Sequence, residues 1–422
     1  MHSIVVVNEP MNVKRIVVLL LLALVAMQGL AQKMVLSGMV VDSKTGRGIG
    51  HANIAVAGTG IAVVSNDDGL FTLKVDDDVS DGLTLAVSHI GYESQRLRPT
   101  SAQAAEVMTI RLKPAVVQLH EVVVWTQNPR ELVNIAISKI AENYSCRPEL
   151  YSCFYRETAM KKQHFIYVAE GVVDMYKTAY DRGTGRDRVA IRKGRRLLSP
   201  KRGDTLSVKV MGGPVQPIQL DLVKNVDFLL NPEELACYDF AMEPPEAIDG
   251  RTQYVVSIVP RRVMPYALYY GRLYIDSETL AFTRAELSLD MSDRQKAESY
   301  MLVRKPAGVR FRPKELSCLI DYRRGEDGVT RISYIRNTFR FNCDWRRRLF
   351  ATSFTACCEM VVTDKTHEDV QPIAGRASFD SRDAFYDKVD YFRDPRFWDD
   401  YNIIEPTETL DKAIDKLMKR YR

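Results

Sequence analysis

The sequence predicts a mainly β protein in two parts: a small β-sandwich, then a large curved antiparallel sheet with a few helices. Three observations predict it. Between Val35 and Lys113, short β-branched and apolar runs recur, each closed by Gly, Asp, Asn or Ser. Beyond Tyr151 the runs lengthen and are joined by tight turns, as in an antiparallel sheet curved over an apolar interior. Helical periodicity is confined to a few stretches.

Size and composition agree with this. A chain of 422 residues exceeds what one core usually holds, and 46% hydrophobic with 27% charged residues is ordinary for a globular protein. The net charge of +5 is slight and gives no support for nucleic acid as a partner. At the N-terminus, Lys14 and Arg15 precede an apolar run from Ile16 to Met27, then Gly29 and Ala31. This is the layout of a signal peptide over residues 1–31, cleaved after Ala31, with Met11 an alternative start. The run falls short of the ~20 residues that cross a bilayer. No later stretch comes closer, so no transmembrane segment is expected after cleavage. The expected location is the periplasm or the outer-membrane surface.

The first part, residues 33–114, reads as strands at Val35–Asp42, Ile54–Ala57, Ile61–Ser65, Leu70–Val75, Leu83–Ser88 and Val107–Leu112. Asn66-Asp-Asp-Gly69 is expected to join two of them as a hairpin, with Gly69 supplying positive φ. The acidic loop Asp76–Asp81 places Asp76, Asp78 and Ser80 at calcium-loop spacing. Gly82 comes one place late and Val87 stands where the final Glu belongs, so a solvated loop is the better reading.

Residues 115–130 form a linker, and 131–422 the sheet part. After Pro129, apolar residues from Leu132 to Ile140 keep helical spacing. Strands follow at Tyr151–Glu157, Phe165–Tyr176, Val189–Ile191, Tyr254–Val259, Tyr269–Ile275, Ala281–Leu289, Glu298–Val303, Glu315–Tyr322, Thr330–Phe341 and Ala351–Thr363. Leu220–Leu230 and Pro232–Ala236 look helical and able to sit inside the sheet's curve. The tail carries Phe385, Tyr386, Tyr391, Phe392, Phe397 and Trp398, then an amphipathic helix from Thr407.

The motifs Gly38-x-Val40-x-Asp42, Ala52-Asn-Ile-x-Val56, Asn66-Asp-Asp-Gly69-x-Phe71 and Ile90-Gly-Tyr92 resemble the carboxypeptidase-regulatory-like (transthyretin-like) module of Bacteroidetes-type exported proteins. Leu119-His-Glu-Val-Val-Val124 resembles the segment that follows it in TonB-dependent receptors. The hairpin around Asp276-x-x-Thr279, with Ile248-Asp-Gly-Arg-x-x-Tyr254 upstream, is similar to LolA-like folds and implies a half-barrel. Phe154-Tyr-Arg-Glu157 and Trp398-x-x-Tyr-Asn resemble the soluble part of larger outer-membrane proteins of unknown function. These resemblances imply an exported, modular protein.

Catalytic motifs are missing. The six histidines form no H-E-x-x-H or H-x-x-E zinc pair, and no G-x-S-x-G, S-x-x-K, P-loop or dinucleotide fingerprint occurs. No enzyme activity, cofactor or metal is therefore expected. Carboxylate pairs such as Asp239 with Glu243 and Asp290 with Asp293 read as solvated faces. Of seven cysteines, an odd number, Cys146 with Cys153 and Cys318 with Cys343 are candidate bridges. The competing reading makes most of them buried apolar residues in strands.

Two stretches stand out as binding candidates. One is the basic run Arg182–Arg202, centred on Arg192, Lys193, Arg195 and Arg196, which Arg346–Arg348 would extend into a patch for lipid phosphates or an acidic partner. The other is Val263–Tyr270, whose Tyr266, Tyr269 and Tyr270 suit the mouth of an apolar cavity. The blander readings are a solvated face and ordinary core. Together these point to a non-catalytic envelope protein binding an apolar or acyl ligand, lipid, or another envelope protein. The alternative is a scaffold with a self-filled interior.

Overall fold

The computed structural model describes residues 33–76, 82–100, 106–115, 128–199, 201, 204, 206, 208–345, 351–391 and 396–418. The expected signal peptide, the positions Asp78, Ser80, Arg202 and Phe392, the segment Leu119–Val124 and the Arg346–Arg348 cluster lie outside these residues.

Seven strands build the first part: β1 (Met34–Asp42), β2 (Asn53–Val56), β3 (Ala62–Val64), β4 (Leu70–Val75), β5 (Leu85–Ser88), β6 (Gln95–Leu97) and β7 (Met108–Leu112). They form two sheets, β4-β1-β7 and β3-β2-β5-β6. Period-two alternation turns Phe71, Leu73 and Val75 of β4 inward, where they join Leu36, Val40, Ile54, Val63, Leu85 and Ile110 in one core. The expected hairpin is corrected here: β3 pairs with β2, and β4 with β1. Asn66–Gly69 instead passes the chain from one sheet to the other. The turn chemistry is as the residues demand. Asn66 Oδ1 accepts from the Asp68 and Leu70 amides at 2.9 Å, and Gly69 takes φ +87°. A turn of this kind reverses the chain whether or not its flanks pair, so sequence alone does not separate the two outcomes.

The second part opens with α1 (Pro129–Ser138) and α2 (Ile140–Asn143). Long strands follow: β8 (Glu149–Lys161), β9 (His164–Lys177) and β10 (Arg188–Leu198). Next come β11 (Lys209–Val210), α3 (Gln216–Gln219) and α4 (Pro232–Leu235). β12 (Tyr238–Ile248), β13 (Arg251–Pro260), β14 (Tyr269–Asp276) and β15 (Phe282–Leu289) form a meander. The chain then runs through α5 (Arg294–Met301), β16 (Leu302–Arg304), β17 (Val309–Arg324), β18 (Thr330–Trp345) and β19 (Thr352–Thr366). It ends with β20 (Asp390–Tyr391) and α6 (Glu408–Met418). One open sheet has the order β12-β13-β14-β15-β17-β18-β19-β8-β9-β10-β20, antiparallel except where β20 meets β10.

Two expectations for this part are revised. Glu298–Val303 is the end of α5 and the short β16, because Asp293 caps a helix by accepting from the Gln295 and Lys296 amides, and Ala297 and Met301 bury one turn apart. Leu220–Leu230 forms turns and one 3-10 turn at Val226–Phe228, not a helix. Of the two readings of the cysteines, the unbridged one holds: all seven are free, and most are buried. Cys318 and Cys343 are buried in strands, and Cys357 and Cys358 point to opposite faces of β19.

The sheet has an inner and an outer face. The inner face carries Tyr155, Tyr254, Leu273, Ile320, Phe339 and Met360, packed against Val208, Ile218, Leu222, Val223, Leu229, Leu230 and Leu235. Residues 208–235 thus fill the inner face with the chain's own side chains. Charges pin this plug in place. Lys177 of β9 pairs with Asp221, which also accepts from Tyr322 OH at 2.9 Å, and Lys224 donates to Asp187 Oδ1 at 2.8 Å. Leu222 is fully buried, so Leu222→Ala should cost about 3 kcal/mol through lost burial and a residual cavity. The check is urea unfolding, with a lower midpoint at unchanged slope.

Candidate functional site

The outer face holds the sandwich, and the seam between them is where polar groups gather without filling the space. Arg336 of β18 clamps Asp67 with two hydrogen bonds, 2.6 and 3.0 Å, while His51 stacks on Tyr334 at 5.3 Å between ring centroids. Burial pushes the Asp67 carboxyl up, but the bonds from His51 and Arg336 outweigh it and hold it well below the usual carboxylate range. A second attachment runs through the tail. Trp398 packs edge-on against Phe154 at 5.5 Å and donates to Glu170 Oε2 at 3.2 Å. Asn402 pairs with both backbone groups of Lys74 on the edge strand β4, at 2.7 and 2.9 Å. Asp68 accepts from the Glu408 amide at 2.7 Å, just where α6 begins.

On the side of the Arg336 clamp away from the tail, over β12 to β18, lies a cleft of about 800 Å³ counted together with the solvent at its mouth. The sandwich contributes His51, Asn53, Ser88 and His89 from the ends of β2 and β5; the sheet contributes three hairpins. At the β12–β13 turn, Asp249 and Gly250 both take positive φ (53° and 72°), a two-residue connection that projects Asp249 and Arg251 to the rim. At the β14–β15 turn, Asp276 Oδ1 accepts from the Thr279 amide and hydroxyl, both at 2.8 Å, and Asp276 also pairs with Arg251. Arg284 of β15 pairs with Asp321 at 3.3 Å and Glu286 at 2.9 Å. Burial pushes the Asp321 carboxyl up, Arg284 opposing it. His89 Nδ1 sits 2.8 Å from the Ile90 carbonyl, which assigns that nitrogen its proton. Burial, then the Arg284 charge, drops the His89 pKa to about 4.

None of the seven residues singled out from sequence lines this cleft. The tyrosines and the basic residues sit on strands far apart in the sheet order. Tyr269 is buried in the core against Phe228 and Tyr300, Tyr266 OH donates to Glu234, and Tyr270 is 47% exposed on the outer face. The basic residues are engaged by their own chain. Arg192 pairs with Asp174, Lys193 donates to the Phe397 carbonyl at 2.7 Å, Arg195 pairs with buried Glu170, and Arg196 reaches the Tyr386 carbonyl. The expected apolar chamber is not what the inner face shows, since residues 208–235 occupy it. The seam residues His51, His89 and Arg323 carry no sequence motif. The turns that aim Arg251 and Asp276 did stand out, but as marks of fold.

The sandwich is the part that other proteins share. Residues 36–124 match the CarboxypepD_reg-like domain. The match spans β1 to β7 and continues past the described residues at 115. No curated protein matches the chain. Among solved structures, a DUF1329 family protein from Desulfovibrio piger ATCC 29098 is similar over 58% of this chain and 95% of that one, at 9% identity and TM-score 0.24. A Vibrio parahaemolyticus domain described as outer membrane lipoprotein-sorting covers the same shares, at 11% identity and TM-score 0.26. Superpositions at this level decide nothing about the chemistry of this chain. Among the described residues, no helix is long and apolar enough to cross a membrane, and no cluster of His, Cys, Asp and Glu is placed to hold a metal.

The regulatory-like domain therefore supplies one wall of the cleft, and its His89 makes that wall acid-sensitive. A histidine held at about 4 instead of its ordinary 6.5 binds fewer protons folded than unfolded between those values. Stability should then fall as pH drops from about 6.5 to about 4, by up to about 3 kcal/mol. Melting curves of the wild type and His89→Gln across this range check it: the variant should lose less stability on acidification, and parallel pH profiles would remove His89 from the account.

Proposed function

We propose that this is a non-catalytic binding protein of the cell envelope, with the cleft at the seam of its two parts as the ligand site. The observation that carries this is the seam itself: a cleft walled by both parts and partly open to solvent, where Arg, Asp, His, Asn and Thr side chains meet Ile90, Ile248 and Tyr334. The regulatory-like domain, the leader-like residues 1–31 and the lack of nucleophile or metal motifs support envelope location and binding over catalysis. Residues 208–235 pack apolar side chains against the inner face, which favours the seam over that face as the site. A small molecule with both polar and apolar parts suits this lining.

One observation favours a second reading. The same filled inner face suits a scaffold that holds the regulatory-like domain out toward envelope proteins. The two readings part at the cleft. Native mass spectrometry of the full chain purified from the envelope should show a retained small molecule, absent from Ser88→Trp, which narrows the cleft from the sandwich side. A bare mass for both proteins, with a partner protein captured equally by each, would leave the scaffold.

A further inference from the structure

Resting on that binding reading, we infer that the cleft recognises an oxyanion, a carboxylate or a phosphate, through the Arg323 guanidinium and the Asn53 carboxamide. The two side chains meet across the seam, Arg323 from β17 and Asn53 from β2, with Arg323 Nη1 donating to Asn53 Oδ1 at 3.2 Å. That bond uses one of the five donors a guanidinium carries. Among the described residues, Arg323 has no other hydrogen bond and no carboxylate within 4.0 Å, and the Asn53 Nδ2 group makes no hydrogen bond.

The other cations of the cleft make the contrast. Arg251 holds Asp276 and Glu278, and Arg284 holds Glu286 and Asp321. Arg331, opposite Arg323 in the β17–β18 ladder, is neutralised by Glu149 and Asp327. Arg324, the next residue, is exposed to solvent. Arg323 alone among these is half-buried and unmatched, with Asp249 at the rim as its main attraction from outside ion-pair range. Burial drops its pKa to about 10, so the guanidinium remains charged at neutral pH.

A planar fork with open donors in a partly desolvated cleft is suited to bidentate capture of a carboxylate or phosphate. Arg323 and Asn53 also border a neighbouring cleft of about 770 Å³, lined by Gly58, Thr59 and Arg96. The anion would thus sit between two open volumes, with room for a body on either side. Ser88, Asp249 and Ser333 line both, so the two volumes meet at this pair.

The test is calorimetric titration of the full chain with phenyl phosphate, benzoate and benzyl alcohol. Either oxyanion should bind the wild type and weaken at least tenfold in Arg323→Gln, with Arg323→Lys intermediate because it keeps charge and loses the fork. The stronger of the two tells phosphate from carboxylate. Equal binding of benzyl alcohol, with no loss in Arg323→Gln, would overturn the oxyanion inference and leave the cleft as a binding site. Oxyanion binding that survives Arg323→Gln but disappears in Ser88→Trp would do the same. No binding of any probe, together with a bare native mass, would overturn both. Near-ultraviolet dichroism of each variant confirms the fold, and Arg323→Lys carries the comparison if the Gln variant is unstable.

Discussion

Two lysines buried to 1% exposure govern the arrangement of this molecule. Lys177 and Lys224 lie beneath the sheet with Asp221 and Asp187 as partners, and Tyr180 ring faces lie 5.1 and 5.6 Å from their ammonium groups. A charge taken from water needs a partner and good geometry to be tolerated at all. Such a set gives little net stability, but it admits only one placement of the segment that carries Asp221 and Lys224. That segment then fills the inner face with Leu222, Val223, Leu229 and Leu230, and an open chamber there is lost. Burial lowers the Lys224 pKa to about 8.

With the inner face closed, recognition moves outward. The tail crosses the outer face between sheet and sandwich, and Trp398 and Ile404 share a small core with Phe154, Val172, Val361 and Val64. Arg156 binds Glu170 and the Ile404 carbonyl, the latter at 2.6 Å, so the strap is fastened by charge as well as by apolar contact. Farther on, α6 buries Leu410, Ile414 and Leu417 against Val168 and Leu197. The Arg336 clamp borders the cleft and the tail fastens the sandwich farther along the sheet, which holds the two walls of the cleft in register.

What could be read in the sequence follows from the range of each cause. Strands beyond Tyr151 were legible because alternation is local: β8, β9, β17, β18 and β19 appear where the pattern puts them, longer by a few residues. The short β6 and the Pro-containing β12 went unread, because Gln95-Arg-Leu97 offers no periodicity and Pro244-Pro245 argues against a strand. The strand assigned to Glu298–Val303 failed because the Asp293 cap, a local signal that was present, outranked propensity. The cleft was not legible at all. Asn53 and Arg323 are distant in sequence, and nothing in either neighbourhood announces that the sandwich will dock where they meet. The basic run showed the converse. Its charge was visible, but the carboxylates and carbonyls that absorb it come from strands and tail elsewhere.

The ends of the sheet have a consequence of their own. At one end β12 carries Pro244 and Pro245 at a register shift between Glu243 and Glu246, where the edge lacks backbone donors for an incoming strand. At the other end β10 is covered over Arg195 and Arg196 by the two residues of β20. Strand addition, the commonest way a β protein takes on a neighbour, is thus discouraged at both margins. At these two places of the large sheet, contact with a neighbour falls to side chains.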